Sequence, residues 1–119
     1  MIEAVPPLDL REGRQLLAVG NGFEAHEVWE LQWKALPHGP PRRALQGLIH
    51  LAVAVEHHRR GSLRSAVGQW DKAVDKLANG LPWPGIDVAR LLDAVLPCMA
   101  AARHGESVPI PDLRWLDDG

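Results

Sequence analysis

Arg42 to Arg60 reads RRALQGLIHLAVAVEHHRR, and this stretch decides the fold. At about 100° per residue, Leu45, Leu48, Ile49, Leu51, Ala52, Val53 and Val55 cover most of a helical circumference. A helix with no wide polar face belongs in the middle of a bundle, with neighbours on both sides. One narrow seam interrupts the apolar surface. Arg43, Gln46, His50 and His57, at i, i+3, i+7 and i+14, fall within roughly 60° of one another. The seam points out through a gap or faces polar partners inside.

On the N-terminal side, Pro37-His38-Gly39-Pro40-Pro41 breaks the chain, and proline is tolerated in the first turn of the helix it precedes. Before it, residues 23–36 (FEAHEVWELQWKAL) form a second helix. Its apolar arc holds Ala25, Val28, Trp29, Leu31, Trp33 and Leu36, and its polar arc His26, Glu27, Glu30 and Lys34. The short link predicts that these two helices are antiparallel neighbours. A first helix over 8–19, with Leu10, Leu16, Leu17 and Val19 inward, ends at Gly20-Asn21-Gly22.

On the C-terminal side, Gly61 stops the central helix, with Arg59 and Arg60 complementing the dipole of its last turn. A fourth helix over 63–79 carries Ala66, Val67, Trp70, Ala73, Val74 and Leu77 in one stripe. It ends at Asn79-Gly80, ahead of the stiff loop Leu81-Pro82-Trp83-Pro84-Gly85. Asp87 caps a fifth helix with Val88, Leu91, Leu92, Val95 and Met99 inward and Pro97 expected to kink it. The tail SVPIPDLRWLDDG is too rich in proline for a regular element, yet Ile110, Leu113, Trp115 and Leu116 favour packing back on the helices. The expectation is an all-α, single compact bundle of about five helices, with an ordered, proline-rich, non-helical tail over 105–119.

Composition agrees with a single globular domain over 1–119: 119 residues are enough to bury a core, 46% are apolar and 24% charged. A net charge of −2 argues against nucleic-acid binding. The one cysteine, Cys98, excludes an internal disulfide framework and fits a reducing compartment. The N-terminal MIEAVPPLDLREGR has no charged-then-apolar signal region, and no apolar run reaches the roughly 20 residues of a spanning helix. The expectation is a cytoplasmic protein away from membranes.

Phe23-Glu24-Ala25-His26-Glu27-Val28-Trp29-Glu30 with Trp33, then Leu45-Gln46-Gly47-Leu48-Ile49-His50, then Arg60-Gly61, resemble the prokaryotic domain-of-unknown-function family 309 in order and spacing. The likeness covers about 8–96 and includes the Ile86-Asp87-Val88 entry to the last helix. His50 departs from the family's Gln. The resemblance implies a small, compact, all-helical protein and supplies no activity.

Several residue patterns could carry chemistry. His26-Glu27-x-x-Glu30 resembles the zinc-protease HExxH but has Glu where the second His ligand belongs. A His/Glu pair at i, i+4 can still hold a divalent metal with ligands from a facing helix. Antiparallel pairing, with positions summing to roughly 79 or 80, sets Glu30 beside Ile49 and His50, and His26 between His50 and His57. Gly47 would then permit close approach near Trp33. The candidate binding residues are His26, Glu27, Glu30, Arg43, Gln46, His50 and His57, and the candidate metal ligands are His26, Glu30 and His50. Equally, Glu30 with Lys34 is an ordinary i, i+4 ion pair, and the seam could simply fix helix register.

The run Glu56-His57-His58-Arg59-Arg60-Gly61-Ser62-Leu63-Arg64 could take a phosphate or an acidic partner, or only complement the helix dipole. Trp29, Trp33, Trp70, Trp83 and Trp115 read as core anchors, with Trp83 and Trp115 able to serve a partner surface from proline-flanked loops. No nucleophile–base pair and no glycine-rich phosphate loop is visible. Two functional classes follow. The first is a non-enzymatic binding or interaction module, without cofactor, for a protein or small molecule. The alternative is a metal-dependent hydrolase with Glu27 as base. Self-association is expected if the tail leaves the apolar faces of the third and fifth helices uncovered.

Overall fold

Every predicted helix forms, with ends displaced by no more than three residues. The helices are α1 (Arg11–Ala18), α2 (Gly22–Ala35), α3 (Pro40–Arg59), α4 (Leu63–Ala78) and α5 (Val88–Arg103). The computed structural model describes residues 9–78, 87–106, 111 and 113. The expectations for the N-terminal lead, for the loop holding Trp83, and for Ile110, Trp115 and Leu116 lie outside the described residues. Of the tail, Leu113 is buried in the core, 2% exposed.

α3 is the central helix that its composition requires. It packs most extensively on α4 and, on its other side, on α2, while α5 lies against α4 and α1 against α2. Ala44, Leu45, Leu48, Ile49, Leu51, Ala52, Ala54 and Val55 are all buried, so apolar contact is made nearly all round. Trp29 and Trp70, both fully buried, bring the largest side chains to the core from α2 and α4. Trp29 fills the space above Gly13, where a methyl group would collide with the indole. Among the described residues, no helix is long and apolar enough to cross a membrane.

Leu31 and Val19 correct the predicted apolar arcs: they are 71% and 73% exposed. The inward stripe of α2 is narrower than expected and runs through Gly22, Ala25 and Trp29. Leu31, two residues beyond Trp29, is rotated by about 200° and so points away from α3. Val19 is the C-terminal cap of α1, beyond its last inward turn. Pro97 lies inside a continuous α5, where it removes a donor from the Asp93 carbonyl. Asp87 caps α5 as expected, its carboxylate accepting from Arg90 N at 3.1 Å.

The helix ends are closed by local chemistry. Gly20 and Gly61 hold φ at +87° and +79°, and the residues after them donate back to Leu16 O (2.8 Å) and His57 O (2.9 Å). The start of α2 is closed by α3. Glu56, 3% exposed, accepts from Gly22 N at 3.3 Å, from Arg59 Nη2 at 2.6 Å and from Arg60 Nε at 2.8 Å. The Arg59 guanidinium, helped by Arg60, holds the Glu56 carboxyl below the usual carboxylate range against the burial that would raise it. Glu56 thus caps α2 from a neighbouring helix and places negative charge at the positive end of its dipole. Glycine at 22 permits this approach, because a methyl there would meet the Ala52 carbonyl oxygen and Glu56 Cβ.

Two substitutions test the corner. Glu56→Ala, which orphans the Gly22 amide and leaves both arginines unpaired, is expected to lower the unfolding free energy by about 2 kcal/mol. Gly22→Ala is expected to cost about 1–3 kcal/mol by overpacking. Urea titrations followed by circular dichroism measure both; unchanged midpoints would show that the corner does not hold α2.

Candidate functional site

The seam of α3 does not form one site. His50 Nδ1 meets Gln69 Oε1 of α4 at 2.8 Å, so the imidazole donates toward α4 and keeps its Nε2 lone pair. His57 belongs to the Glu56 corner: its ring stands edge-on to Phe23, centroids 5.8 Å apart, while Arg60 lies over the same phenyl ring at 4.7 Å. Arg43 and Gln46, nearer the start of α3, line a cavity at the α2–α3 turn.

The opposing arc on α2 is satisfied within its own helix. His26 Nε2 lies 2.8 Å from Glu30 Oε2, and Lys34 Nζ lies 3.6 Å from Glu30 Oε1. Glu27 is exposed. Glu30, expected beside His50, thus takes its polar partners from one turn away on α2. His26 is close enough to His50 only to disfavour a second positive charge there. The three candidate metal ligands do not converge, since His50 is turned to Gln69, and no group of three His, Cys, Asp or Glu suited to a metal occurs among the described residues. Gly47 is also reassigned. It lies against Leu77 and Ala73 O of α4 instead of near Trp33.

The cavity has a volume of about 520 Å³, within the range of small-molecule pockets. Trp33 from α2, His38 and Gly39 from the turn, Pro40, Arg42, Arg43 and Gln46 from α3, and Lys76 from α4 form its wall. The Arg42 guanidinium stacks 4.1 Å above the Trp33 ring, and its Nη1 lies 3.3 Å from His38 Nε2. Trp33 Nε1 and Arg42 Nε are buried with no acceptor among the described residues, as are the indole nitrogens of Trp29 and Trp70 in the core. No acidic side chain is among the described lining residues.

Sequence reasoning placed Arg43 and Gln46 in the candidate set but missed Arg42, His38 and Lys76. The available signal was two adjacent arginines in the first turn of a helix, where the dipole disfavours cations. It also missed Glu56, although an acid followed by Arg at i+3 and i+4 marks a local ion-pair cluster. Arg59 and Arg60 are engaged by that acid, which accounts for the basic run at the end of α3. Cys98 is buried, and burial pushes its thiol up to about 11, so it is protonated at neutral pH.

This all-helical bundle, with its FEAHE arc set against an LQG-bearing central helix, defines a class of small helical proteins. The chain belongs to the family described as domain of unknown function (DUF309), whose model matches residues 10–69. It is similar to the uncharacterized protein YpuF of Bacillus subtilis (strain 168), 43% identical over 49 residues. That match covers 41% of this chain and 28% of the relative, so the chain spans little more than a quarter of that protein. No solved structure matches the chain.

Burial lowers the His50 pKa below its ordinary value, Lys72, Lys76 and His26 lower it further, and the bond to Gln69 partly offsets them. The folded state therefore prefers neutral imidazole. Its contribution is fully present above about pH 6.5, the unfolded value, and is lost as the pH falls below that toward the folded value. His50→Gln, which removes the titratable ring, is expected to flatten the stability profile between about pH 7 and 5. Thermal unfolding across that range checks this; parallel profiles for both proteins would refute it.

Proposed function

We propose that the protein is a non-catalytic binding module and that its ligand occupies the cavity at the α2–α3 turn. The observation that carries this reading is the cavity wall itself, where Arg42, Arg43 and Lys76 come together beside Trp33 and Gln46 with no acid among the described lining residues. Clustered cations without a carboxylate repel one another, and a ligand that brings acceptors and negative charge relieves that repulsion on binding. Arg43 and Gln46 are then the working part of the polar seam. His26, Glu30, His50 and His57 serve the helices, through the contacts already described.

A small molecule is preferred over a second copy of the chain as partner. The core already holds Leu113 of the tail, and the large apolar side chains most exposed among the described residues, Val19, Leu31 and Leu96, come from three different helices. A cytoplasmic setting suits the buried Cys98 thiol, which forms no disulfide.

The test is a screen of soluble small molecules against the protein labelled with ¹⁵N at tryptophan. The expected result is a saturable shift of the Trp33 indole N–H signal, identified with Trp33→Phe, and no chemical change in the bound compound. Absence of any compound that shifts Trp33 would overturn the binding reading, and turnover of a bound compound would overturn its non-catalytic part.

A further inference from the structure

We infer that the cavity takes a phosphate group carried on a small molecule, an inference that rests on the binding reading above and supplies its ligand class. Arg42, Arg43 and Lys76 bring three fixed positive charges to one wall from two helices. Other clustered cations have acids: Arg59 and Arg60 hold Glu56, and Arg103 holds Asp71 at 2.6 Å. Among the described residues, Arg42, Arg43 and Lys76 have no carboxylate partner. The polar contact of Arg42 is with an imidazole, and that of its ring-facing side is with Trp33.

The donor count favours phosphate over carboxylate. The wall offers the Arg42 and Arg43 guanidinium groups and the Lys76 ammonium, more donors than two carboxylate oxygens satisfy. A phosphate monoester presents three terminal oxygens and up to two negative charges, and guanidinium matches it in a bidentate fashion. The Arg42–Trp33 stack fixes the plane of that guanidinium before a ligand arrives.

Position supports the same chemistry. Arg42 and Arg43 lie in the first turn of a helix of 20 residues, at the positive end of its dipole, where an anion is favoured and a cation is not. A concave site at one end of a chain of net charge −2, without a basic stripe, suits a small phosphorylated compound rather than a nucleic acid.

The experiment titrates the ¹⁵N-labelled full chain with sodium pyrophosphate at constant ionic strength, following the Trp33 indole signal. A saturable shift is expected, weakened at least about tenfold in Arg43→Gln with Lys76→Gln. Both side chains lack a carboxylate partner among the described residues, so the double variant is expected to keep the wild-type Tm. A pyrophosphate response that survives in that variant, or a saturable response to citrate with none to pyrophosphate, overturns the phosphate assignment while the binding reading stands. No response to pyrophosphate, citrate or any screened compound overturns both.

Discussion

The carboxylate of Glu56 lies where α3 ends and α2 begins, and the pairing of these two helices depends on it. Gly22 and Ala52 bring the backbones together at that corner, and the carboxylate closes the first turn of α2 from across the interface. At the other end of the same interface the side chains are large. Trp33 and Arg42 meet there, and the polypeptide turns through Pro37 to Pro41. The same interface thus carries glycine and alanine at one end and tryptophan and arginine at the other, and the cavity lies at the end with the large side chains, closed on a third side by Lys76 of α4.

The fold is legible in the sequence for a specific reason. The apolar residues of α3 surround its axis, the proline and glycine breaks are unambiguous, and each neighbouring helix carries one apolar stripe. Width was harder to read than existence. Leu31 falls in a plausible arc on a helical wheel, yet α2 touches only α1 and α3 strongly, and a residue about 200° from Trp29 has nothing to pack against.

The candidate site was legible only in part, because a wheel projects away distance along the axis. Arg43 and His57 share a direction but are 14 residues apart, about 21 Å at 1.5 Å per residue. No single small ligand bridges that span. The four seam residues instead meet three surroundings: the cavity for Arg43 and Gln46, α4 for His50, and the Glu56 corner for His57. Similarly, the His26–Glu30 spacing that suggests a metal pair is the spacing of an ordinary intrahelical contact. Only the position of a third ligand separates the two readings, and that position is tertiary.

The dipeptide Arg-Arg occurs at both ends of α3, as Arg42-Arg43 and Arg59-Arg60, and the two copies are not equivalent. At the C-terminal end the dipole favours cations, and Glu56 completes their neutralisation. At the N-terminal end the same pair opposes the dipole, at a cost of about 0.3–1 kcal/mol for each charge. The first helical residues there are Pro40 and Pro41, which carry no N–H, and the described residues supply no acid. A requirement for stability alone would exchange those arginines for acidic or neutral residues. An anion bound as proposed above would supply the missing countercharge to this pair, one of them stacked on an indole and both without a carboxylate among the described residues.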